Sequence, residues 1–408
     1  MEPEQWKRAR DKQMKILVVC QYYKPEPFRI SDICEELVKK GHEVTVVTGV
    51  PNYPEGKIYK EYKNGKRREE TIGGVKVHRC FTIGRRSGVL FRFLNYYSYV
   101  ISSCLQINRM KESFDVVYVN QLSPVLMGYA GMKAKKKWKI PLVLYCLDLW
   151  PESLVAGGIR KGSFLYKAFH RISKNIYCAA DKILVTSKMF SEYFEEQFQI
   201  SKERVVYLPQ YAEELFVGNQ EHTEKRTVDL TFAGNIGKVQ SVDTIIKAAA
   251  ILQDKYDNLR WHIVGGGAEL DNVKHLADEL QLTNIIFHGR KPVEEMPAIY
   301  AKSDAMLVTL TDEPVLSMTL PGKVQSYMAA GKPILGAING ETAKVIAEAK
   351  CGYCTKAEDA EGLAALVEEF ITSGNQTEIG ECARVYYKNN FSRKMFMTKL
   401  DQELKAKH

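Results

Sequence analysis

The chain has 408 residues, 45% of them hydrophobic and 26% charged, and a formal net charge of +9 at pH 7. This length is too great for one hydrophobic core and predicts two domains of about 200 residues each. The charge is moderate for the length and does not by itself indicate a nucleic-acid partner. No apolar run approaches the roughly 20 residues that cross a bilayer. Residues 1–13 lack the apolar centre of a signal peptide, so a cytoplasmic location is expected.

The first half alternates between strand and helix patterns. A β-branched strand at 14–20, a helix at 29–40 and a strand at 43–48 form a βαβ unit, and residues 1–13 are interpreted as an extension. The first turn contains no Gly-x-Gly-x-x-Gly motif, which argues against a standard dinucleotide site. Further strands are expected at 75–81, 116–119, 142–147, 183–186 and 205–208. The pattern predicts an α/β domain with a mostly parallel sheet.

Two basic stretches of this half carry aromatic residues. Arg85, Arg86 and Arg92 precede or join an aromatic-rich helix, and Lys135 and Lys136 lie beside Trp138. Basic heads with aromatic rings suit an anionic membrane surface. Each stretch alone is more typical of a core helix or a solvated lysine face, so both interpretations stay open. Single-stranded nucleic acid also uses such residues, but no RRM, KH or helix-turn-helix pattern is present.

Two loops of this half follow strands directly. Asp148, Trp150 and Glu152 come after the strand at 142–147, and Asn52 and Tyr53 come after the strand at 43–48. Ligands of open α/β sheets bind at the carboxyl ends of strands. We therefore expect these residues to line one cleft, although an N-cap or turn role is the simpler alternative for Asp148.

A polar segment at 218–226 is the best linker, and the α/β pattern then restarts. Strands are expected at 228–233, 260–264, 284–288 and 305–310, with helices at 242–252 and 293–301. Three turns, at 234–238, 289–291 and 321–323, place a glycine beside a cation at strand ends. Three such turns on one sheet edge predict a phosphate cradle. The glycines at 265–267 have packing of a helix against a strand as an alternative role.

The residues 319–335 read as a helix with both ends marked, by Pro321 and Gly331. Lys323 lies in the first turn, at the positive end of the helix dipole, which is unfavourable for a cation. An anion bound there by the free N–H groups explains the residue. A lysine that points into water is the alternative.

Cys351 and Cys354 have the spacing of a redox or zinc pair. No second pair or histidine cluster accompanies them in the sequence, so a turn that enters a strand is favoured and no metal site is predicted.

Several motifs in combination resemble a family 4 glycosyltransferase of the GT-B fold. They are Phe232-Ala-Gly-Asn-Ile-Gly237, Val264-Gly-Gly-Gly267, His288-Gly-Arg290, Ala180-Asp-Lys-Ile-Leu-Val-Thr-Ser187, Pro321-Gly-Lys323 with Tyr327-Met-Ala-Ala-Gly331, and Asp148-Leu-Trp-Pro-Glu-Ser153. The last two look like the branch that builds O-antigen, capsule and colanic acid, including its L-fucosamine transferases. The resemblance implies two Rossmann-like domains facing across a cleft, at 14–210 and 211–390. It also implies that a C-terminal helix at about 391–408 crosses back to the first domain.

The resemblance further implies an activity. A sugar, such as N-acetyl-L-fucosamine or another amino or deoxy sugar, would pass with retention from a nucleotide diphosphate donor of the UDP type. The acceptor would be a polyprenyl-diphosphate-linked glycan. No metal and no cofactor would be needed, and the enzyme would lie at the inner face of the bacterial plasma membrane.

The residue patterns and the resemblance together give candidate roles for individual residues. The catalytic candidates are Asp148, Lys323 and Arg290. The donor-binding candidates are Gly234, Asn235, Gly237, Lys238, Gly265, Gly289, Lys291, Asp312, Glu313, Ser317, Gly322 and Ser326. The acceptor-side candidates are Tyr23, Arg29, Asn52, Tyr53, Trp150 and Glu152. The membrane candidates are Arg85, Arg86, Arg92, Lys135, Lys136 and Trp138.

The chain departs from the wider family at the donor positions. Met318 and Ser326 occupy the places of two glutamates eight residues apart, and Asn235 and Gln240 those of an Arg and a Lys. The phosphate charge then falls to Lys323, Arg290 and Lys238. Two alternatives remain open: a nucleotide-sugar 2-epimerase of the same fold, and a non-enzymatic basic scaffold or nucleic-acid binder.

Overall fold

The computed structural model describes residues 13–86, 88–218 and 227–406. It divides into two compact units. The first comprises Met1–Thr186, Phe190–Leu208 and Met397–His408, and the second comprises Ser187–Met189 and Pro209–Phe396. Most of the predicted linker at 218–226, and most of the predicted extension at 1–13, lie outside the described residues.

The first unit is built on an eight-stranded sheet with the order β3-β4-β2-β1-β5-β6-β7-β8. Its strands are β1 (Lys15–Val19), β2 (Glu43–Gly49), β3 (Glu69–Ile72), β4 (Val75–Cys80), β5 (Val116–Gln121), β6 (Leu142–Cys146), β7 (Lys182–Val185) and β8 (Val205–Tyr207). Every pairing is parallel except that of β3 with β4. The sequence prediction missed β3, because its Glu-Glu-Thr-Ile run lies at the sheet edge and carries no apolar signal.

Central strands of this sheet are buried on both faces, which explains their continuous apolar runs. In β1, Ile16, Leu17, Val18 and Val19 are all fully buried. The helices of the unit are α1 (Ile30–Lys39), α2 (Val89–Arg109), α3 (Gly128–Trp138), α4 (Glu152–Ala156), α5 (Phe164–Ala179) and α6 (Met189–Phe198).

The second unit has a six-stranded parallel sheet with the order β11-β10-β9-β12-β13-β14. Its strands are β9 (Val228–Asn235), β10 (Leu259–Gly266), β11 (Ile285–Gly289), β12 (Ala305–Thr309), β13 (Ile334–Ala337) and β14 (Gly352–Thr355). Numbered within the unit, this order is 3-2-1-4-5-6, the doubly wound order of nucleotide-binding sheets. The order reverses between β9 and β12, and ligands of such sheets bind outside the carboxyl ends of strands at this switch point.

The helices of this unit are α7 (Val242–Leu252), α8 (Leu270–Glu279), α9 (Met296–Lys302), α10 (Pro314–Ser317), α11 (Gly322–Ala329), α12 (Gly340–Ala349), α13 (Ala360–Ser373) and α14 (Gln376–Asn390). Helices α7, α8 and α13 contribute to a hydrophobic core that includes Trp261, Phe232 and Phe370. The helix expected at 293–301 begins later, because a short 3-10 turn at Val293–Glu295 precedes it.

The final helix, α15 (Arg393–Lys405), returns to the first unit, to which its residues from Met397 belong. Asp401 on this helix accepts a hydrogen bond from His42, with the carboxylate oxygen 2.8 Å from Nε2. His42 precedes β2, so the C-terminal helix is attached to the amino-terminal edge of the first sheet, as predicted.

Candidate functional site

Helix α11 is fixed against the carboxyl end of β9 by one side chain. The Tyr327 hydroxyl donates to the carbonyl oxygen of Ala233 at 3.0 Å and accepts from the N–H of Ala233 at 3.2 Å. Tyr327 is fully buried. Lys323 lies one turn earlier on the same face of the helix, so the tyrosine also determines where the lysine points.

Lys323 brings its ammonium group to the end of β9. Its Nζ lies 3.9 Å from the centroid of the Phe232 ring, and it is buried with no hydrogen-bond partner among the described residues. Burial lowers the pKa of Lys323 to about 7. The alternative of a solvated lysine is therefore wrong, because the structure removes this cation from water. A buried ammonium without an acceptor is costly unless an anion completes the site.

Glycines make room for this ammonium group. A Cβ atom on Gly234 would lie 2.9 Å from Lys323 Nζ, and Gly234 has a φ of +150°, which other residues rarely adopt. A Cβ atom on Gly265 would lie 1.8 Å from the carbonyl oxygen of Gly234. Both positions therefore require glycine for close approach. Gly267 has the packing role expected of the triple glycine, since a Cβ there would meet the carbonyl of Ile236 at 2.2 Å.

Arg290 reaches the neighbouring strand end. Gly266 pairs with Asn235 in the β10–β9 ladder, and the Arg290 Nε lies 3.9 Å from where a Cβ on Gly266 would be. Lys323 and Arg290 thus lie beside the ends of adjacent strands. The side chain of Arg290 is exposed. The two cations and the N-terminus of α11, which begins at Gly322, form a cationic edge suited to a diphosphate.

The first donor loop is held by Gln240. Its Oε1 accepts from the amide of Asn235 at 3.2 Å and from the N–H of Gly237 at 3.2 Å. Lys238 in this loop is exposed. Lys291, which follows Gly289 and Arg290, lies 3.6 Å from Glu295 and is therefore partly neutralised.

Two of the remaining predicted donor residues, Asp312 and Ser326, have hydrogen-bond partners within the second unit. Asp312 accepts from the Asn339 amide at 2.8 Å, and Glu313 is the exposed N-cap residue of α10, which ends at Ser317. Ser326 is buried, and its hydroxyl donates within α11 to the carbonyl of Gly322 at 3.4 Å.

The loop after β6 does not present the side chains that the sequence led us to expect. Trp150 is buried against Phe169, with ring centroids 5.1 Å apart, and its Nε1 donates to Ser123 at 2.8 Å. Glu152 is buried and accepts from the hydroxyls of Tyr166 at 2.7 Å and Tyr193 at 3.0 Å. The acceptor-side prediction is wrong for Trp150 and Glu152, because internal partners already satisfy them.

Asp148 retains the features of a site residue. Its Oδ1 accepts from the Ser153 hydroxyl at 3.1 Å, and burial raises the pKa of its carboxyl group, while hydrogen bonds from Ser123 and Ser153 lower it. The side chain is partly exposed at the carboxyl end of the sheet.

A buried carboxylate that the sequence interpretation missed lies at the ends of β1 and β2. Glu26 accepts from the N–H groups of Asn52 and Tyr53, each at 2.8 Å. Burial raises the pKa of Glu26 to about 7, against the opposing effect of these donors. Tyr23 is fully buried, so its prediction as an acceptor contact is wrong. The Pro25-Glu26-Pro27 sequence of this loop was the available signal for Glu26.

Several predicted residues of the first unit do converge. A cavity of about 290 Å³ is lined by Asn52, Tyr53, Pro54, Glu55, Gly56, Arg85, Arg86 and Arg92. Asn52 is structural within it, because its Oδ1 accepts from the N–H of Arg85 at 3.1 Å. Tyr53 is partly exposed. Arg29 is the half-buried N-cap residue of α1, outside this lining.

Helix α2 carries an apolar stripe on its outer face. Exposed large apolar side chains occur at Leu90, Leu94, Tyr97, Ile101 and Leu105. These positions fall within roughly 80° of the helix circumference. With the arginines at its start, the helix has the composition of an element that rests on an anionic membrane.

The second predicted membrane patch is structural instead. The ammonium group of Lys135 lies 2.7 Å from both carboxylate oxygens of Asp181, and Trp138 packs edge-on against Phe114 at 4.9 Å. Lys137 donates to the carbonyl oxygens that end α2, including that of Ile107 at 2.7 Å. Lys136 is exposed. The prediction is therefore wrong for Lys135 and Trp138, whose side chains hold α3 to its neighbours.

Within the described parts of the chain, no group of three or more His, Cys, Asp or Glu side chains is arranged to hold a metal ion. Across the same residues, no helix has both the length and the apolarity needed to cross a membrane.

Comparison with known proteins identifies both units. A Glycosyl transferase 4-like domain matches residues 28–210, and a Glycosyl transferases group 1 domain matches residues 216–386. The "Probable glycosyltransferase WbjE" of Pseudomonas aeruginosa is 29% identical over 270 residues, which cover 63% of this chain and 65% of that relative, just under two thirds of its length. The "Putative colanic acid biosynthesis glycosyl transferase WcaI" of Escherichia coli K12 is 24% identical over 344 residues, covering 78% of this chain and 82% of the relative.

A solved structure shares the fold. HepE of Anabaena in complex with UDP-glucose superimposes with a TM-score of 0.68 at 16% identity, covering 96% of this chain and 99% of that one. The chain therefore has the GT-B fold and is built from a Glycosyl transferase 4-like domain followed by a Glycosyl transferases group 1 domain.

Proposed function

We propose that this protein is a retaining glycosyltransferase of surface polysaccharide synthesis, which uses a UDP-type donor and a polyprenyl-diphosphate-linked acceptor. The donor diphosphate binds at the carboxyl edge of the second sheet, between Lys323 and Arg290. The names of WbjE and WcaI and the UDP-glucose held by HepE support the donor class and the process. An amino or deoxy sugar such as N-acetyl-L-fucosamine is the proposed transferred group.

The observation that carries this proposal is the buried ammonium of Lys323, which has no partner among the described residues. It lies at the switch point of the 3-2-1-4-5-6 sheet, where ligands bind. The departing diphosphate becomes more negative in the transition state, so a cation already fixed there stabilises the transition state more than the ground state. The strand-end glycines let the diphosphate approach the backbone.

The reaction needs only the donor and the acceptor. The bond between the anomeric carbon and the diphosphate oxygen breaks, and the acceptor hydroxyl forms the new bond on the same face. The hydroxyl proton passes to the departing diphosphate, whose remaining charge Lys323 and Arg290 hold. No metal is required in this scheme, because the two cations and the α11 N–H groups supply the positive charge.

Asp148 is the proposed acidic residue of the acceptor side. As a carboxylate it orients the acceptor hydroxyl or stabilises positive charge on the sugar. Asp148→Asn is expected to lower kcat more than it weakens donor affinity. Equal loss in donor affinity and kcat would instead assign Asp148 a general structural role.

The membrane face is proposed on helix α2. Its exposed apolar stripe enters the interface, while Arg85 and Arg92 meet anionic head groups. In this proposal the first unit lies at the inner face of the plasma membrane, where a lipid-linked acceptor is available.

A thermal-shift screen against nucleoside diphosphates and nucleotide sugars tests the donor site. A ligand at a hundredfold excess over its Kd adds about 2.7 kcal/mol to the free energy of unfolding. The shift with UDP should vanish in Lys323→Ala and persist in Lys247→Ala, an exposed lysine on α7 paired with Asp243. Isomerisation of the donor without any acceptor would indicate the 2-epimerase instead. Salt-sensitive binding of nucleic acid, without stabilisation by any nucleotide sugar, would indicate the basic binding protein.

A further inference from the structure

A second cationic site lies in the first unit, in the connection between β2 and β3. Residues from this connection and from the segment after β4 enclose a cavity of about 730 Å³. Its cationic lining residues, which we call the basic basin, are Lys57, Lys63, Lys66, Arg68, Arg79 and Arg86. No acidic residue is among the described residues that line it. Of its cationic residues, only Arg86 was among the candidates predicted from the sequence.

The charge of the basin is largely unmatched. Among the ion pairs of the described residues, none involves Lys57, Lys63, Lys66 or Arg68. Exposed lysines alone are usually solvated and carry no ligand. Arg79 is paired with Glu70, but the five other cations around this cavity repel one another, which favours the entry of an anion.

Arg79 provides an independent indication of a ligand. Its side chain is 1% exposed and lies over the Tyr62 ring, with Cζ 4.6 Å from the centroid. Its Nε donates to Glu70 at 2.6 Å and its Nη2 donates to the carbonyl oxygen of Lys24. Its Nη1 is buried without an acceptor. Buried guanidinium donors are normally paired, so this nitrogen lacks the acceptor that an anion in the basin supplies.

A groove with exposed apolar side chains adjoins the basin, and its lining also includes Glu69, His78 and Arg109. Phe81 is 52% exposed and lines both the basin and a groove of about 500 Å³. The groove continues along α2 past Ile101 and Leu105, which are also exposed. Arg68 and Arg79 line both cavities, so the two are continuous. A ligand with an anionic head and an apolar tail matches a basic basin that adjoins a groove with exposed apolar side chains.

We propose that the basic basin binds the diphosphate of a lipid whose hydrocarbon chain lies in the Phe81 groove along α2. This inference rests on the proposed function, in which the carrier of the acceptor glycan is such a lipid. The cavity volume is within the range of pockets for whole ligands rather than single ions. A diphosphate offers several acceptor oxygens to the fork of Arg79 and to the surrounding lysines.

The proposed donor chemistry in the second unit does not use the basic basin. The basin lies at the carboxyl ends of β2 and β4, close to the arginines at the start of α2. It holds the carrier by its head group, while the apolar stripe of α2 keeps the chain at the bilayer.

Binding of farnesyl diphosphate, a short soluble probe, tests the proposal by calorimetry on the full chain. The double variant Lys63→Ala/Lys66→Ala is expected to weaken binding at least tenfold, and Arg68→Ala severalfold. The control Lys39→Ala/Lys40→Ala removes the same charge from exposed lysines at the end of α1 and should leave binding unchanged. Unchanged binding in the basin variants would overturn the proposal.

Two further probes decide the ligand class. Inorganic diphosphate should bind at least tenfold more weakly than farnesyl diphosphate, and equal binding would overturn the role of the groove. Phosphatidylcholine vesicles with 20% phosphatidylglycerol should bind the basin double variant and the native chain with affinities that differ by less than twofold. If the basin variant lost vesicle binding while the native chain ignored farnesyl diphosphate, the basin would be a site for phospholipid head groups and the proposal would be overturned.

The same samples separate this inference from the proposed function. Stabilisation by UDP depends on the second unit and should be equal in the native chain and in every basin variant. Failure of UDP to stabilise the native chain rejects the proposed donor site, whereas failure of the native chain to bind farnesyl diphosphate, with stabilisation by UDP intact, rejects the basin.

Discussion

The loop after β6 in the first unit and the end of β9 in the second unit satisfy their buried polar groups differently. In the first unit, Glu152 is buried but accepts from two tyrosine hydroxyls, and Trp150 donates to Ser123. In the second unit, Lys323 Nζ is buried over Phe232 and has no acceptor among the described residues. Buried polar groups are nearly always paired, so a buried ammonium group without an acceptor indicates a ligand site. By contrast, two of the three candidates in the loop after β6, Trp150 and Glu152, are scaffold residues.

The same distinction separates the two basic stretches of the first unit. Lys135 is neutralised by Asp181, and Lys137 caps the end of α2. The arginines at the start of α2 line a cavity and precede an exposed apolar stripe. Charge therefore indicates an external partner only where the fold leaves it without an internal one.

Replacement of Lys323 by methionine should have the largest effect, because it removes the buried cation that has no partner among the described residues of the second unit. The variant is expected to lose about 10²–10³ in kcat, the usual cost of one electrostatic contact to a transition state. It should also melt at a higher temperature at pH 7, because a buried charge without a partner is removed. The matched control is Lys247→Met on α7. Near-native turnover in Lys323→Met would reject the donor site.

The pKa of Lys323 also predicts the direction in which the free energy of unfolding changes with pH. Its folded pKa of about 7 lies below its ordinary value of 10.5. The unfolded chain therefore binds more protons than the native protein between these values, and stability rises with pH across that window. Chemical denaturation should show a smaller rise in the free energy of unfolding for Lys323→Met, because the variant lacks the contribution of the Lys323 ammonium group.

Replacement of Glu152 by alanine tests the scaffold side of the comparison. It leaves the hydroxyls of Tyr166 and Tyr193 without their buried acceptor, at about 1–3 kcal/mol for each group. The free energy of unfolding should fall by about 2–4 kcal/mol, while the KM for the acceptor of the folded enzyme stays the same. Glu196→Ala, an exposed position on α6, should change stability by less than about 0.5 kcal/mol. A raised acceptor KM with native stability would restore Glu152 as a binding residue.

Replacement of Gly234 by alanine tests whether the donor site needs Lys323 at its observed position, without removing a charge. The added Cβ would lie 2.9 Å from Lys323 Nζ and 3.2 Å from its Cε, in a backbone conformation that disfavours alanine. UDP affinity measured by calorimetry should fall about tenfold or more. Gly218→Ala, where a Cβ meets nothing within 4 Å, serves as the control. Unchanged affinity in Gly234→Ala would show that Lys323 does not need its observed position.

The smallest effect is expected on the outer face of α2. Leu94→Ser/Ile101→Ser removes two exposed apolar side chains and should weaken binding to phosphatidylglycerol vesicles about tenfold, which corresponds to withdrawing roughly two CH₂ groups from the interface at about 0.8 kcal/mol each. Lys136→Ala on α3 should change vesicle binding less than twofold. A larger loss in Lys136→Ala than in the α2 variant would reverse the assignment of the membrane face.

Much of the fold was predictable because it follows from local patterns. Helix α7 occupies the predicted residues, and the strands differ from prediction by a few residues at most. Strand β3 was missed, since an exposed edge strand needs no apolar side chains. The phosphate cradle was predictable in outline, because Lys323 sits in a marked helix and glycines punctuate strand ends.

The partners of buried groups were not predictable, because they come from distant parts of the chain. Tyr166 and Tyr193 reach Glu152 from α5 and α6, and no spacing in the sequence signals it. The basic basin is likewise assembled from β4 and the connection before β3. Glu26 has the sequence pattern of an ordinary loop residue, and its hydrogen bond from Asn52, in the loop after β2, arises only in the folded chain.

The most direct measurement is the number of protons taken up when UDP binds at pH 8. UDP is fully ionised there, because the second pKa of a phosphate is about 6, whereas burial keeps Lys323 mostly neutral at a pKa of about 7. Calorimetry in two buffers of different ionisation enthalpy should give an uptake approaching one proton, with affinity falling between pH 6.5 and 8.5. Lys323→Met should show neither effect. Binding of UDP by the native chain without proton uptake at pH 8 would contradict the role of Lys323 as the buried partner of the donor diphosphate.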